Sequence, residues 1–173
     1  MRSKFAIGGH PLHATLVGIP IGLFVWTLVS DIVYYGTDKD PMWYDIAFWS
    51  GIAAIVSALI AALPGLGDFV TVVAHSEARR TGLMHMALNL GVVALFAIAM
   101  VLMLDDGAVD GGRLGLVLAL HAVGVGMLGI SGWLGGEMVY RNHIGMIPED
   151  AEAERDQQVR HGAAPGSARP SHR

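Results

Sequence analysis

The sequence predicts an all-α fold: a polytopic membrane protein whose four transmembrane helices form an up-down-up-down bundle. Three observations carry this. Four apolar stretches are each long enough to cross a bilayer, which takes about 20 residues. The connections between them are short, as in antiparallel bundles. Hydrophobic residues make up 53% of the 173-residue chain against 15% charged, with a mean hydropathy of +0.51. A soluble domain of this size would need more charge to cover its surface.

The first span is read over residues 11–35. It starts near His10, with Pro11 at the first helical position, where its missing N–H does no harm. Pro20 lies inside this helix and is expected to kink it and free a carbonyl one turn back. Met1-Arg2-Ser3-Lys4 resembles a signal n-region. The apolar run behind it is too long for a signal h-region and carries no A-x-A site, so it reads as an uncleaved span. The second span covers 42–63, with Asp40 as N-cap, Pro41 behind it and a stop at Pro64-Gly65. Trp43, Tyr44, Phe48 and Trp49 read as an aromatic belt at a membrane boundary. Residues 65–82 are mixed in character and read as a continuation of that helix or as a short interfacial one.

The third span covers 83–104, with Thr81 as N-cap. An acidic, glycine-rich turn over 105–112 leads to the fourth span, 113–136. Residues 1–146 thus form one four-span domain. Residues 147–173 are polar, with little to bury, and read as a disordered tail. The ends and the second loop hold Arg2, Lys4, Arg79, Arg80, Arg141, Arg155, Arg160, Arg169 and Arg173; the other side holds Lys39 and Arg113. That asymmetry predicts both termini in the cytoplasm.

Composition narrows the chemistry. The chain has no cysteine, which excludes disulfides, thiolate-held iron–sulfur clusters, cysteine zinc sites and covalently attached c-type haem. The net charge is -4, and no basic patch points to nucleic acid.

The topology sorts the ionisable residues by depth. His10 and His13 fall at the cytoplasmic end of the first span, Asp68 and His75 past the end of the second, and His85 in the first turn of the third. Asn89 shares a face with His85. Glu137 and His143 fall at the end of the fourth. Polar groups at membrane depth tend to face the bundle interior and mark function. His13 and His85 both sit near helix N-termini, where the dipole favours the neutral, ligating imidazole. They could hold one haem iron or, with Asp68 or Glu137, a transition-metal ion. Caps and interfacial hydrogen bonds are the plainer reading of the same residues. Glu137 and Arg141 also match an ordinary i,i+4 ion pair.

Asp31 reads as reaching the headgroups at the outer end of its helix. His121 reads as a lone buried histidine bonded to a carbonyl, with a modest cost of ~1–2 kcal/mol on truncation. The fourth span is rich in glycine, and Gly132-xxx-Gly136 is a small-xxx-small pair suited to close helix packing. That packing could lie within the bundle, between copies in a homo-oligomer, or around a flat cofactor edge.

Residues 8–146 resemble a widespread bacterial family of small four-helix membrane proteins known as a domain of unknown function. The match is carried by His10-Pro11-Leu12-His13, Pro20-Ile21-Gly22, Asp31, Leu63-Pro64-Gly65, Asp68, His85, Asn89, Ser131-Gly132-Trp133-Leu134-Gly135-Gly136-Glu137 and Tyr140-Arg141. After Arg141 the family often reads His-Gly-Val-Gly, whereas this chain reads Asn142-His143-Ile144-Gly145. The resemblance implies a multi-pass protein of the bacterial inner membrane. Some relatives are fused to Rieske-type iron–sulfur domains, which implies electron transfer and a redox partner protein.

The leading expectation is non-covalent haem b held by His13 and His85, with His10 as the rival ligand. The alternatives are transition-metal binding or transport through His10, His13, His85, Asp68 and Glu137, and an accessory membrane subunit with no cofactor. Asn89, Asp31, Arg141 and His143 are supporting polar residues. No nucleophile-and-base signature marks the chain as an enzyme by itself.

Overall fold

Along the last span the buried residues are Leu114, Val117, His121, Gly124, Leu128 and Ser131. Their three-four spacing forms one stripe of an α-helix. In the computed structural model, which describes residues 3–71, 73–104 and 111–144, that stripe is part of the inner seam of a four-helix bundle. A short strand pair, β1 (Ala6–Ile7) and β2 (His10–Pro11), precedes α1 (Leu12–Leu16), α2 (Gly18–Gly36), α3 (Pro41–Thr71), α4 (Arg79–Met103) and α5 (Gly111–Tyr140), with a 3-10 turn at Val73–His75. The all-α expectation holds. Four helical segments, with α1 and α2 counted as one, are long and apolar enough to cross a membrane. The α2–α3 and α4–α5 hairpins are the most extensive pairings, and they meet through α3–α4 and α2–α5.

No more than 33% of any apolar window is buried inside the bundle. Trp49, Leu63, Leu90, Val101 and Trp133 all point outward. Such a surface suits lipid, where outward apolar side chains carry no cost and close packing holds helices together. The mid-bundle core is Phe24, Ala54, Val92, Phe96 and Leu128. A second cluster, around Tyr34, Tyr44, Ala99, Met103 and Leu114, fills the end near the α2–α3 turn. The inner face of α3 is small, with Ala47, Gly51, Ala54 and Ala61. A Cβ on Gly51 would lie 2.6 Å from Met100 Sδ. Thr27 Oγ1 and Ser50 Oγ, 2.9 Å apart, tie α2 to α3, a contribution of about 0.6 kcal/mol for such a bond in a bilayer.

Several local expectations are corrected. α3 does not stop at Pro64 but runs through it to Thr71, because a proline removes one N–H and neighbouring groups can satisfy the loosened turn. Between α1 and α2, one turn before Pro20, Val17 keeps helical dihedrals and bonds to both His13 and Ile21, so the span continues through the turn that Pro20 leaves without an N–H. Thr81 is not the N-cap of α4. The helix begins at Arg79, and Ser76 Oγ accepts the Ala78 N–H instead. Tyr44 belongs to the core rather than to a belt, and its hydroxyl donates to the Met103 carbonyl. Asp40 does cap α3, accepting the Met42 N–H at 3.0 Å. Gly132 and Gly136 meet no neighbouring atom where a Cβ would stand, so they are not a helix-packing pair inside this bundle. The three-four seam passes through Ser131 and leaves them beside it. The 147–173 tail and the turn at 105–110 lie outside the described residues.

Candidate functional site

The bundle interior holds two polar clusters at different depths. The first forms where the start of α1, the late turns of α3, the start of α4 and the late turns of α5 converge. His13 Nδ1–H donates to the Ala61 carbonyl at 2.8 Å. Ala61 precedes Pro64 by three residues, in the part of α3 that the proline loosens. His85 Nδ1–H points at the Ser131 carbonyl at 2.9 Å and at Ser131 Oγ at 3.0 Å. The Asn89 amide donates to Ser131 Oγ at 2.6 Å and to the His85 carbonyl at 2.8 Å, and its nitrogen lies 3.2 Å from His85 Nε2. The two imidazoles stand edge to face with centroids 6.2 Å apart.

A carbonyl oxygen only accepts, so both Nδ1 atoms carry the hydrogen. The neutral rings then have the Nε2 lone pair that a metal ligand needs. Glycine makes room for both rings. A Cβ on Gly65 would lie 2.7 Å from His13 Nδ1, and one on Gly135 would lie 3.4 Å from His85 Cε1.

The remaining sequence-level candidates lie elsewhere. Asp68 accepts from Ser3 Oγ at 2.6 Å, from the Lys4 N–H at 3.1 Å and from the Phe5 N–H at 3.4 Å, so it fastens the N-terminal segment to α3. Glu137 pairs with Arg141 at 2.7 Å, one turn apart and largely solvent-facing. His10 is exposed on β2, and His143 is exposed with a positive φ of 50°. Among the described residues, no three His, Asp or Glu side chains gather where they could hold a metal ion.

The second cluster was misread from sequence. Asp31 does not reach toward the headgroups. It is 2% exposed and accepts a hydrogen bond from Nδ1–H of His121, which is 0% exposed. His121 is therefore not a lone histidine on a carbonyl. Phe96 stacks on its ring at 4.2 Å and 23°. Asp31 and His121 are 90 residues apart. Their shared depth depends on how the α2 and α5 helices slide against each other. The available signal was that each polar residue falls on the buried stripe of its own helix.

A family model described as a predicted membrane protein (DUF2231) matches residues 9–148. The chain belongs to this family. The match spans all four apolar helices and both polar clusters of this DUF2231 protein. No curated protein and no solved structure matches it.

Proposed function

We propose that this protein carries non-covalent haem b for electron transfer in the membrane, and that His13 and His85 would hold it. The observation that carries the reading is the paired imidazoles. They come from different helices at one depth, and each Nδ1–H rests on a backbone carbonyl. That is the outer-shell arrangement of ligating histidines. Bound there, haem iron would supply a one-electron carrier. The protein would orient the ligands and exclude water.

The two Asn89 amide hydrogens go to Ser131 Oγ and the His85 carbonyl, which leaves the His85 Nε2 lone pair available to a ligand. A transition-metal ion is the weaker reading, because Asp68 and Glu137 are committed to other partners. The nine-to-two Lys/Arg split favours the cytoplasmic side for this cluster and for both termini, and the bacterial inner membrane follows from the bacterial family that the sequence resembles.

The test is the optical spectrum of detergent-purified protein expressed with haem supplied. A Soret band that shifts on dithionite reduction is expected. His13→Ala and His85→Ala should lose it while remaining helical, and Gly65→Ala should weaken it by displacing the His13 ring. A colourless, folded wild-type protein overturns the reading. Stoichiometric metal in that colourless protein would favour the ion-binding alternative.

A further inference from the structure

The Asp31–His121 pair plays no part in that proposal, and it leaves one polar atom without a partner. His121 Nε2 is the buried side-chain nitrogen or oxygen that lacks a hydrogen bond among the described residues. We propose that Asp31 and His121 form an intramembrane proton-binding site that loads and releases one proton at His121 Nε2.

The argument is a count of charge. With a single hydrogen on the imidazole, held in the Nδ1–H···Oδ2 bond, the pair carries one net negative charge. His121 is the cation-capable group within ion-pair distance of Asp31 among the described residues. The carboxylate lies five residues inside the end of α2, and the imidazole ten residues inside the start of α5. These offsets are about 8 and 15 Å along the helices. An uncompensated charge at such depth is costly.

One added proton removes it. The neutral pair is either imidazolium with carboxylate or imidazole with carboxylic acid. If the Nδ1–Oδ2 hydrogen bond is kept, Nε2 bears a hydrogen in both forms. Nε2 is therefore where the extra proton resides, whichever way the inner proton is shared. Loading takes a proton from hydronium: an N–H bond forms, an O–H bond breaks and water departs. Release reverses this to water or to another base.

The surroundings fit a single exchanging atom. On α4, Phe96 covers one ring face and is itself held by Phe24 at 4.5 Å. Among the described residues, the buried ionisable side chains of the neighbouring elements at this end are Tyr34 on α2 and Tyr44 on α3, whose hydroxyl is committed to the Met103 carbonyl. Asp45 on α3 and Tyr35, Asp38, Lys39 and Asp40 at the α2–α3 turn are exposed. On α5, Arg113 lies eight residues away, about 12 Å along the helix.

Nitrogen NMR on ¹⁵N-histidine-labelled protein in bilayers reads the proposal directly. At neutral pH the His121 Nε2 signal should be of the N–H type and should convert to the lone-pair type as pH rises. Asp31→Asn should convert it already at neutral pH, because a neutral amide needs no compensating proton. A lone-pair Nε2 in the wild type from pH 5 to 9, or an Nε2 signal unmoved by Asp31→Asn, overturns the proposal. Should Asp31→Asn fail to fold, His121→Gln gives a second reading by infrared spectroscopy. The proton should move to Asp31 and add a carboxylic acid C=O band to the spectrum, and an unchanged carboxyl region counts against the site. None of these signals needs haem, so a colourless protein leaves the test intact.

Discussion

Gly124 on α5 lies so close to Phe96 on α4 that a Cβ there would stand 2.7 Å from Phe96 Cε2. Phe96 cannot retreat, because Phe24 and His121 flank its ring. Gly124→Ala should gain about 1 kcal/mol of helix propensity and lose ~1–3 kcal/mol to overpacking, for a net fall in detergent melting temperature. Gly132→Ala meets open space and should not fall. If both variants melt alike, the Phe96 contact does not limit the packing.

His121→Ala should cost far more than a small void. It strands Asp31 in the bundle, and breaking a buried ion pair from one side costs ~3–5 kcal/mol. Asp31→Ala combined with His121→Ala should cost less than the sum of the two single changes. Strict additivity in chemical unfolding would show that the two side chains do not act as a pair.

Asp68→Ala should free the N-terminal segment without unfolding the spans. Asp68 holds Ser3, Lys4 and Phe5, while the helix contacts lie elsewhere. Faster amide exchange over residues 4–9 is expected, with α4 and α5 protection unchanged. Equal exchange in mutant and wild type would mean that the strand pair holds the segment alone.

Glu137→Gln should change stability by less than ~0.5 kcal/mol, since its partner Arg141 is 78% exposed and such one-turn pairs contribute little. Ligand content should also stay the same, because Glu137 belongs to neither polar cluster. Loss of a Soret band in this variant would redraw the site.

Topology reporters fused after Ser76 should read cytoplasmic, and those placed in the 105–110 turn should read external, from the Lys/Arg asymmetry. The opposite pattern would place the His13–His85 cluster on the far side of the membrane.

The sequence carried the bundle plainly, because four long apolar runs leave few other solutions in a bilayer. It also carried the His13–His85–Asn89 neighbourhood, since helix-end positions set depth without knowledge of packing. The Asp31–His121 contact was hidden for the opposite reason. Both residues are interior to their helices, so their partners depend on rotation and register, which local patterns do not specify. Pro64 misled in another way: a proline that would end a helix in water is tolerated where neighbouring backbone and side chains absorb the strain.

Both polar clusters draw their members from opposite halves of the chain. His13 and Ala61 belong to the first helical pair, and His85 and Ser131 to the second; Asp31 belongs to the first and His121 to the second. In the first cluster each hairpin satisfies its own imidazole, His13 on Ala61 and His85 on Ser131, whereas Asp31 and His121 are matched across the two hairpins. The first hairpin would present the unmatched Asp31 carboxylate to lipid, and the second the unmatched His121 imidazole, until the two meet. The Asp31–His121 contact would therefore penalise half-built bundles and set how far one hairpin slides against the other. A truncated chain ending before α4 should be cleared by membrane proteases faster than the intact protein.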